Sequence, residues 1–188
     1  MIAILKKQYE TYDKRRDSFM NSMSRGYSNQ YRENYYRKEE EKCPTIVKCG
    51  CPSSVTLPPA TIVGTQFTLA SLTLDTSCIC DPSIRLDFTS NFVATVAFTG
   101  TLNIQVFKQC KGDLVARPIG PVWNYNLVAL LQSTTFSFFV CDSDSCDNEC
   151  CTYTVVATVA LLTVGTLSIN NATLSAIATC KNSCNRCK

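Results

Sequence analysis

Downstream of residue 53 the chain alternates apolar and polar side chains in short runs. Ile84, Leu86 and Phe88 flank Arg85 and Asp87, and Phe92, Ala94, Val96 and Phe98 follow across Ser90-Asn91. Leu102, Ile104 and Val106 alternate with Asn103 and Gln105 after Thr99-Gly100, and Phe136, Phe138 and Val140 run into Cys141. Period-two alternation between turn residues predicts antiparallel strands with one face in a core and one in water. Earlier, Val55 and Leu57 stop at Pro58-Pro59, which bars a central strand there. Thr61 to Leu74 alternates loosely through Phe67, Leu69, Leu72 and Leu74.

Breaks are expected at Cys78-Ile-Cys80-Asp-Pro82, at Cys110-Lys-Gly-Asp113 and at Pro118-Ile-Gly120-Pro121. Val122 to Leu131 carries the only tryptophan, Trp123, read as a core or sheet-packing residue. Tyr153 to Val164 is a long β-branched run, and Asn170-Asn171 marks a hairpin between Thr166–Ile169 and Ala172–Ala178. Eight or nine short strands at such spacing predict an all-β fold, an antiparallel β-sandwich of jelly-roll type.

Residues 1–42 break the pattern. Ile2, Leu5, Tyr9, Tyr12, Phe19 and Met23 recur at spacings near three and four, with Arg16 as the flaw in the stripe. An amphipathic helix docked on a neighbour and a weakly helical tail both fit. Residues 24–42 hold four tyrosines among mixed charges and read as a spacer. The expected organisation is thus an arm at 1–42, a cysteine connector at 43–53, a sandwich at 54–179 and a cysteine-rich tail at 180–188.

Charge divides the chain at the same place. Residues 1–42 carry ten Lys/Arg against seven Asp/Glu, and residues 43–188 carry eight of each. A neutral body argues against nucleic acid as a partner. Glu39, Glu40 and Glu41 would repel phosphate from the tyrosines of the arm. The absence of histidine removes imidazole bases, histidine triads and histidine-ligated metals. No phosphate loop, nucleophile elbow or paired carboxylates stand out, so no enzyme is expected. No apolar run reaches 18 residues, which argues against a membrane span. Lys6 and Lys7 interrupt the apolar start, so no export signal is expected.

Thirteen cysteines change the picture most. Their density suits an oxidised protein, and the odd number leaves one thiol over if the rest pair internally. Release of a protein made in a cytoplasm that later lyses would reconcile this with the missing signal, as would a metal-thiolate role. Cys184-Asn-Arg-Cys187 is the one CxxC pair, whereas a structural zinc site needs two. Cys146 and Cys150 are spaced CxxxC beside Cys151. Asp142, Asp144, Asp147 and Glu149 form an acidic loop that suits calcium but lacks the glycine of an EF-hand. A metal- or calcium-dependent binding module is therefore the alternative, while the main reading needs no cofactor.

The seam Cys43-Pro-Thr-Ile-Val-Lys-Cys49-Gly-Cys51 holds three thiols in nine residues. Cys49 and Cys51 cannot bond each other without strain and in a strand face opposite ways. They are placed to reach two different partners, in part on another subunit. Cysteines elsewhere cluster at strand ends, where a bridge joins elements without displacing core side chains.

A neutral Thr/Ser/Val-rich sandwich behind a cysteine-bearing connector resembles the Ena-type subunits of bacterial endospore appendages. The segments Cys141 to Thr154 and Asn171 to Cys180 are also similar to a clostridial family of cysteine-rich proteins of unknown function. The appendage resemblance implies a jelly-roll subunit whose connector bonds to earlier subunits while sheets add edge to edge. It makes Cys43, Cys49 and Cys51 donors of intersubunit disulfides. Acceptors are Cys78, Cys80, Cys110, Cys141, Cys146, Cys150 and Cys151. The tail thiols Cys180, Cys184 and Cys187 join the candidates for bonds between subunits. The longer arm and the cysteine-rich tail depart from the appendage pattern and fit another filament geometry or an anchoring subunit. The expected partner is the protein itself, with spore coat or exosporium proteins beside it, at the spore surface.

Overall fold

A computed structural model describes residues 43–79, 81–94, 97–129, 131–143 and 150–181. The chain divides into units at residues 1–40 and 41–188, and the description concerns the second. The arm expected to be helical therefore lies outside the described residues, as do Cys80, Cys146, Cys184 and Cys187.

Among the described residues every regular element is a strand: β1 (Ile46–Cys49), β2 (Ser53–Leu57), β3 (Gln66–Asp75), β4 (Pro82–Ala94), β5 (Phe98–Cys110), β6 (Arg117–Ala129), β7 (Gln132–Asp142), β8 (Cys150–Val164) and β9 (Leu167–Cys180). The pairs nest like a folded ribbon. β5 pairs β6, β4 pairs β7, β3 pairs β8, and β1 and β2 pair β9, all antiparallel. Two further pairings, β4 with β9 and β5 with β8, roll the ribbon into two sheets. One runs β1-β9-β4-β7 with β2 also on β9, and the other runs β3-β8-β5-β6. That order is the jelly roll the alternation predicted.

The inner faces make one core. Leu86, Phe88 and Phe92 of β4, Leu102, Ile104 and Val106 of β5, and Val155, Ala157 and Val159 of β8 are buried. Each fully buried Leu, Val or Phe contributes roughly 1.5 to 3 kcal/mol. Between edge strands β6 and β7, half-buried aromatics close the seam. Trp123 stacks on Phe138 at 3.9 Å, and Tyr125 meets Phe92 edge-on at 4.4 Å.

Four expected breaks are internal to strands. β4 runs through Ser90-Asn91 and β5 through Thr99-Gly100. Asn170-Asn171 makes no hairpin either. Asn171 adopts φ 54° inside β9, which there holds one residue more than both β2 and β4. The extra residue is a β-bulge, and it shifts the inward phase from Leu167 and Ile169 to Ala172, Leu174 and Ala176. Turn chemistry was present, but flanking apolar runs on both sides kept the strand in its sheet. Likewise Pro118, Gly120 and Pro121 lie within β6, an edge strand, where a missing donor is tolerated.

The expected connector is also part of the sheet. β1 and β2 lie along β9 of their own chain, so residues 46–57 form a sheet edge and do not reach outward.

Candidate functional site

Among the described residues, one end of the sandwich gathers most of the sulfur. β3, β5, β7 and β9 finish there, β4 and β8 begin there, and β1 starts opposite the end of β9. Strand alternation puts Cys110 and Cys151 opposite each other in the β5–β8 pair, and they are joined by a disulfide. Cys43, just before β1, is bonded to Cys180 at the end of β9, with Cα atoms 5.8 Å apart. Cys43 and Cys180, expected to link subunits, are thus joined within one chain. The reason is the β1–β9 pairing, which lays the two strand ends side by side. Cys110 and Cys151, expected as acceptors for a neighbour's thiols, are likewise used internally.

Other thiols remain at the surface. Cys49, Cys51, Cys141 and Cys150 are exposed and outside any disulfide. Cys78 is exposed in the β3–β4 loop. That loop is shaped by the Asp75 carboxylate, which accepts a hydrogen bond of 2.9 Å from the Ser77 amide. The same bond holds the Asp75 carboxyl below its ordinary range.

Cys49 and Cys141 occupy opposite edges of one outer face. Across the β1-β9-β4-β7 sheet one row reads Val47, Ile177, Arg85, Cys141, and the next reads Cys49, Ser175, Asp87, Phe139. Three strand spacings of about 4.8 Å separate the two edges, well beyond disulfide reach. Between them lies a shallow depression of about 410 Å³ lined by Arg85, Asp87, Thr89, Phe139 and Ser175. Arg85 donates to Asp87 at 2.8 Å and lies 4.7 Å over the Phe139 ring. The Asp87 hydrogen bond and charge raise the Arg85 pKa further.

The inner side of the sulfur-rich end holds a group that the sequence reading missed. Lys108 continues the inward phase of Leu102, Ile104 and Val106 and is 1% exposed. Its Nζ lies 2.6 Å from Oδ2 of Asp142, the last residue of β7. The Tyr153 hydroxyl of β8 donates to the same oxygen at 2.8 Å. Burial, then the Asp142 charge, push the Tyr153 phenol well above its ordinary range. Asp142 was expected on a solvated, calcium-competent loop, but its carboxylate faces inward to an ammonium and a phenol. Asp144, Asp147 and Glu149 lie outside the described residues. Among the described residues no three thiols or carboxylates converge as a metal cage. No helix among them is long and apolar enough to cross a membrane.

A chain in a structure of infectious bursal disease virus, Gx strain, is 10% identical with a TM-score of 0.42. The match covers 76% of this chain and 39% of that one. A carbohydrate-binding module specific for non-crystalline cellulose is 12% identical with a TM-score of 0.34, covering 58% of this chain and 73% of that one. The chain spans about two fifths of the viral protein's length. No curated protein matches it. A family match covers residues 43–179, from the first cysteine of the seam to the penultimate residue of β9. The chain belongs to the family described as "Domain of unknown function (DUF4489)".

Proposed function

We propose that the protein is a structural subunit that joins copies of itself, edge to edge, into a disulfide-crosslinked filament or lattice. The observation that carries this reading is the pair of exposed thiols, Cys49 and Cys141, on the two edges of one sheet. Neither can reach the other within the chain. If β7 of one copy accepts β1 of the next, the outer face continues and the two thiol rows become neighbours. A register shift of two residues then sets Cys49 opposite Cys141, and directly opposed residues lie within disulfide range. Such a contact is head-to-tail and does not close on itself, so it propagates. Cys51 and Cys150 offer further bonds to a second row. We assign this assembly to the spore surface, a reading supported by the likeness of the sequence to endospore appendage subunits.

Non-reducing electrophoresis of oxidised protein tests this reading. The native chain is expected to give a ladder that collapses to monomer on reduction. Cys49→Ser and Cys141→Ser should each shorten the ladder sharply, and electron microscopy should show extended particles only for the native chain. A single monomer band from oxidised native protein would end the proposal.

A further inference from the structure

We propose that Lys108 and Asp142 condense into an intramolecular amide that joins the two sheets. Lys108 belongs to β5 in one sheet and Asp142 to β7 in the other, and both side chains are almost fully buried. As an ion pair they keep two charges out of water, a desolvation penalty that their attraction must offset. Held at contact distance, the two groups react as one molecule, with effective molarities on the order of 10⁵ M or more.

The chemistry balances without any added reagent. The ammonium passes one proton to Oδ2, leaving a neutral Nζ. Its lone pair attacks Cγ of Asp142 and forms the C–N bond. A second proton moves from Nζ to Oδ2, the Cγ–Oδ2 bond breaks, and water leaves. The product is a neutral amide. The Tyr153 hydroxyl already donates to Oδ2, the oxygen that departs, and so steadies it. The Lys108 ammonium lies 5.9 Å from the centre of the Tyr153 ring, which holds the amine on that side of the carboxyl.

Such a bond would differ in kind from the two disulfides among the described residues. Cys43–Cys180 lies within one sheet and Cys110–Cys151 within the other. The amide would cross between sheets and would survive reduction.

Intact mass after full reduction and alkylation is the test. Folded native protein should weigh one water molecule less than its sequence, and digestion should release a branched peptide joining the Lys108 and Asp142 segments. Lys108→Met should return to the full sequence mass. Asp142→Asn should lose ammonia instead of water and so converge on the mass of the crosslinked native chain. Tyr153→Phe should slow formation of the linked species. Because the first reading uses the native chain, a variant that fails to fold leaves the test intact. Folded native protein at its full sequence mass, with no branched peptide, would overturn the proposal.

Discussion

Tyr153 shows how one buried hydroxyl ties stability to pH. While Lys108 and Asp142 are unlinked, its phenol is held protonated by burial and by the Asp142 carboxylate, so the folded-state pKa lies above the ordinary value of 10.0. A raised folded-state pKa contributes stability that is complete below the unfolded value and lost as pH rises beyond it. Above about pH 10 the unfolded chain ionises at this tyrosine while the folded chain does not. Each further pH unit then removes about 1.4 kcal/mol. Urea denaturation of protein whose mass shows it unlinked, from neutral to strongly alkaline pH, should show a steeper alkaline loss for the native sequence than for Tyr153→Phe. At neutral pH the variant should be less stable by roughly 1 to 3 kcal/mol, because Asp142 loses a buried donor. Equal alkaline slopes would mean that the phenol ionises freely in the fold.

Among the elements, β6 departs furthest from its expected form. Gly120 sits at φ +67°, and a Cβ there would lie 2.3 Å from Cγ2 of Val140. It occupies the irregular stretch where the β5 pairing shifts between Ile104 and Val106, next to the residue stacked under Phe138. Gly120→Ala should therefore lower the unfolding midpoint by the equivalent of about 1 to 3 kcal/mol, through strain and overpacking together. An unchanged midpoint would show that the bulge relaxes freely. The same strand shows what the sequence could and could not tell. Alternation at Ile84–Phe88, Leu102–Val106 and Phe136–Val140 marked three strands and their inward faces, because burial on one face leaves a period-two trace. Pro118, Gly120, Asn91 and Asn171 read as chain reversals, because bulges and turns draw on the same residue types. Only the partner strand distinguishes them. Lys108 was hidden for a related reason: a lysine in the inward phase looks like the end of a strand until Asp142 is brought opposite from sequence far away.

At the scale of the whole fold, the covalent bonds among the described residues are distributed unevenly, and this decides what reduction should do. The Cys43–Cys180 bridge spans 137 residues and encloses nearly the entire described fold, whereas Cys110–Cys151 spans 41. Loop-closure entropy gives about 5 kcal/mol for the first and about 4 kcal/mol for the second. The two differ more in what they hold locally. β1 has four residues, pairs only with β9, and is followed by Gly50, whose amide donates to the Leu174 carbonyl at 2.8 Å. β5 and β8 are central strands with long partners on both sides. Loss of the first bridge should therefore release a short edge, while loss of the second leaves its strands in place. In Cys43→Ser, amide hydrogen exchange should accelerate at Ile46–Cys49 and along the β9 positions that face it, with β5 and β8 unchanged. In Cys110→Ser, global stability should fall while the local pattern of protection is kept. A released β1 also uncovers the β9 edge, so without reductant, in a Cys49→Ser, Cys141→Ser background, Cys43→Ser should associate through strand exchange more readily than the chain that keeps the Cys43–Cys180 bridge. Sedimentation at several concentrations distinguishes these states, and a monomer with native-like protection at Ile46–Cys49 would show that backbone pairing alone secures the edge.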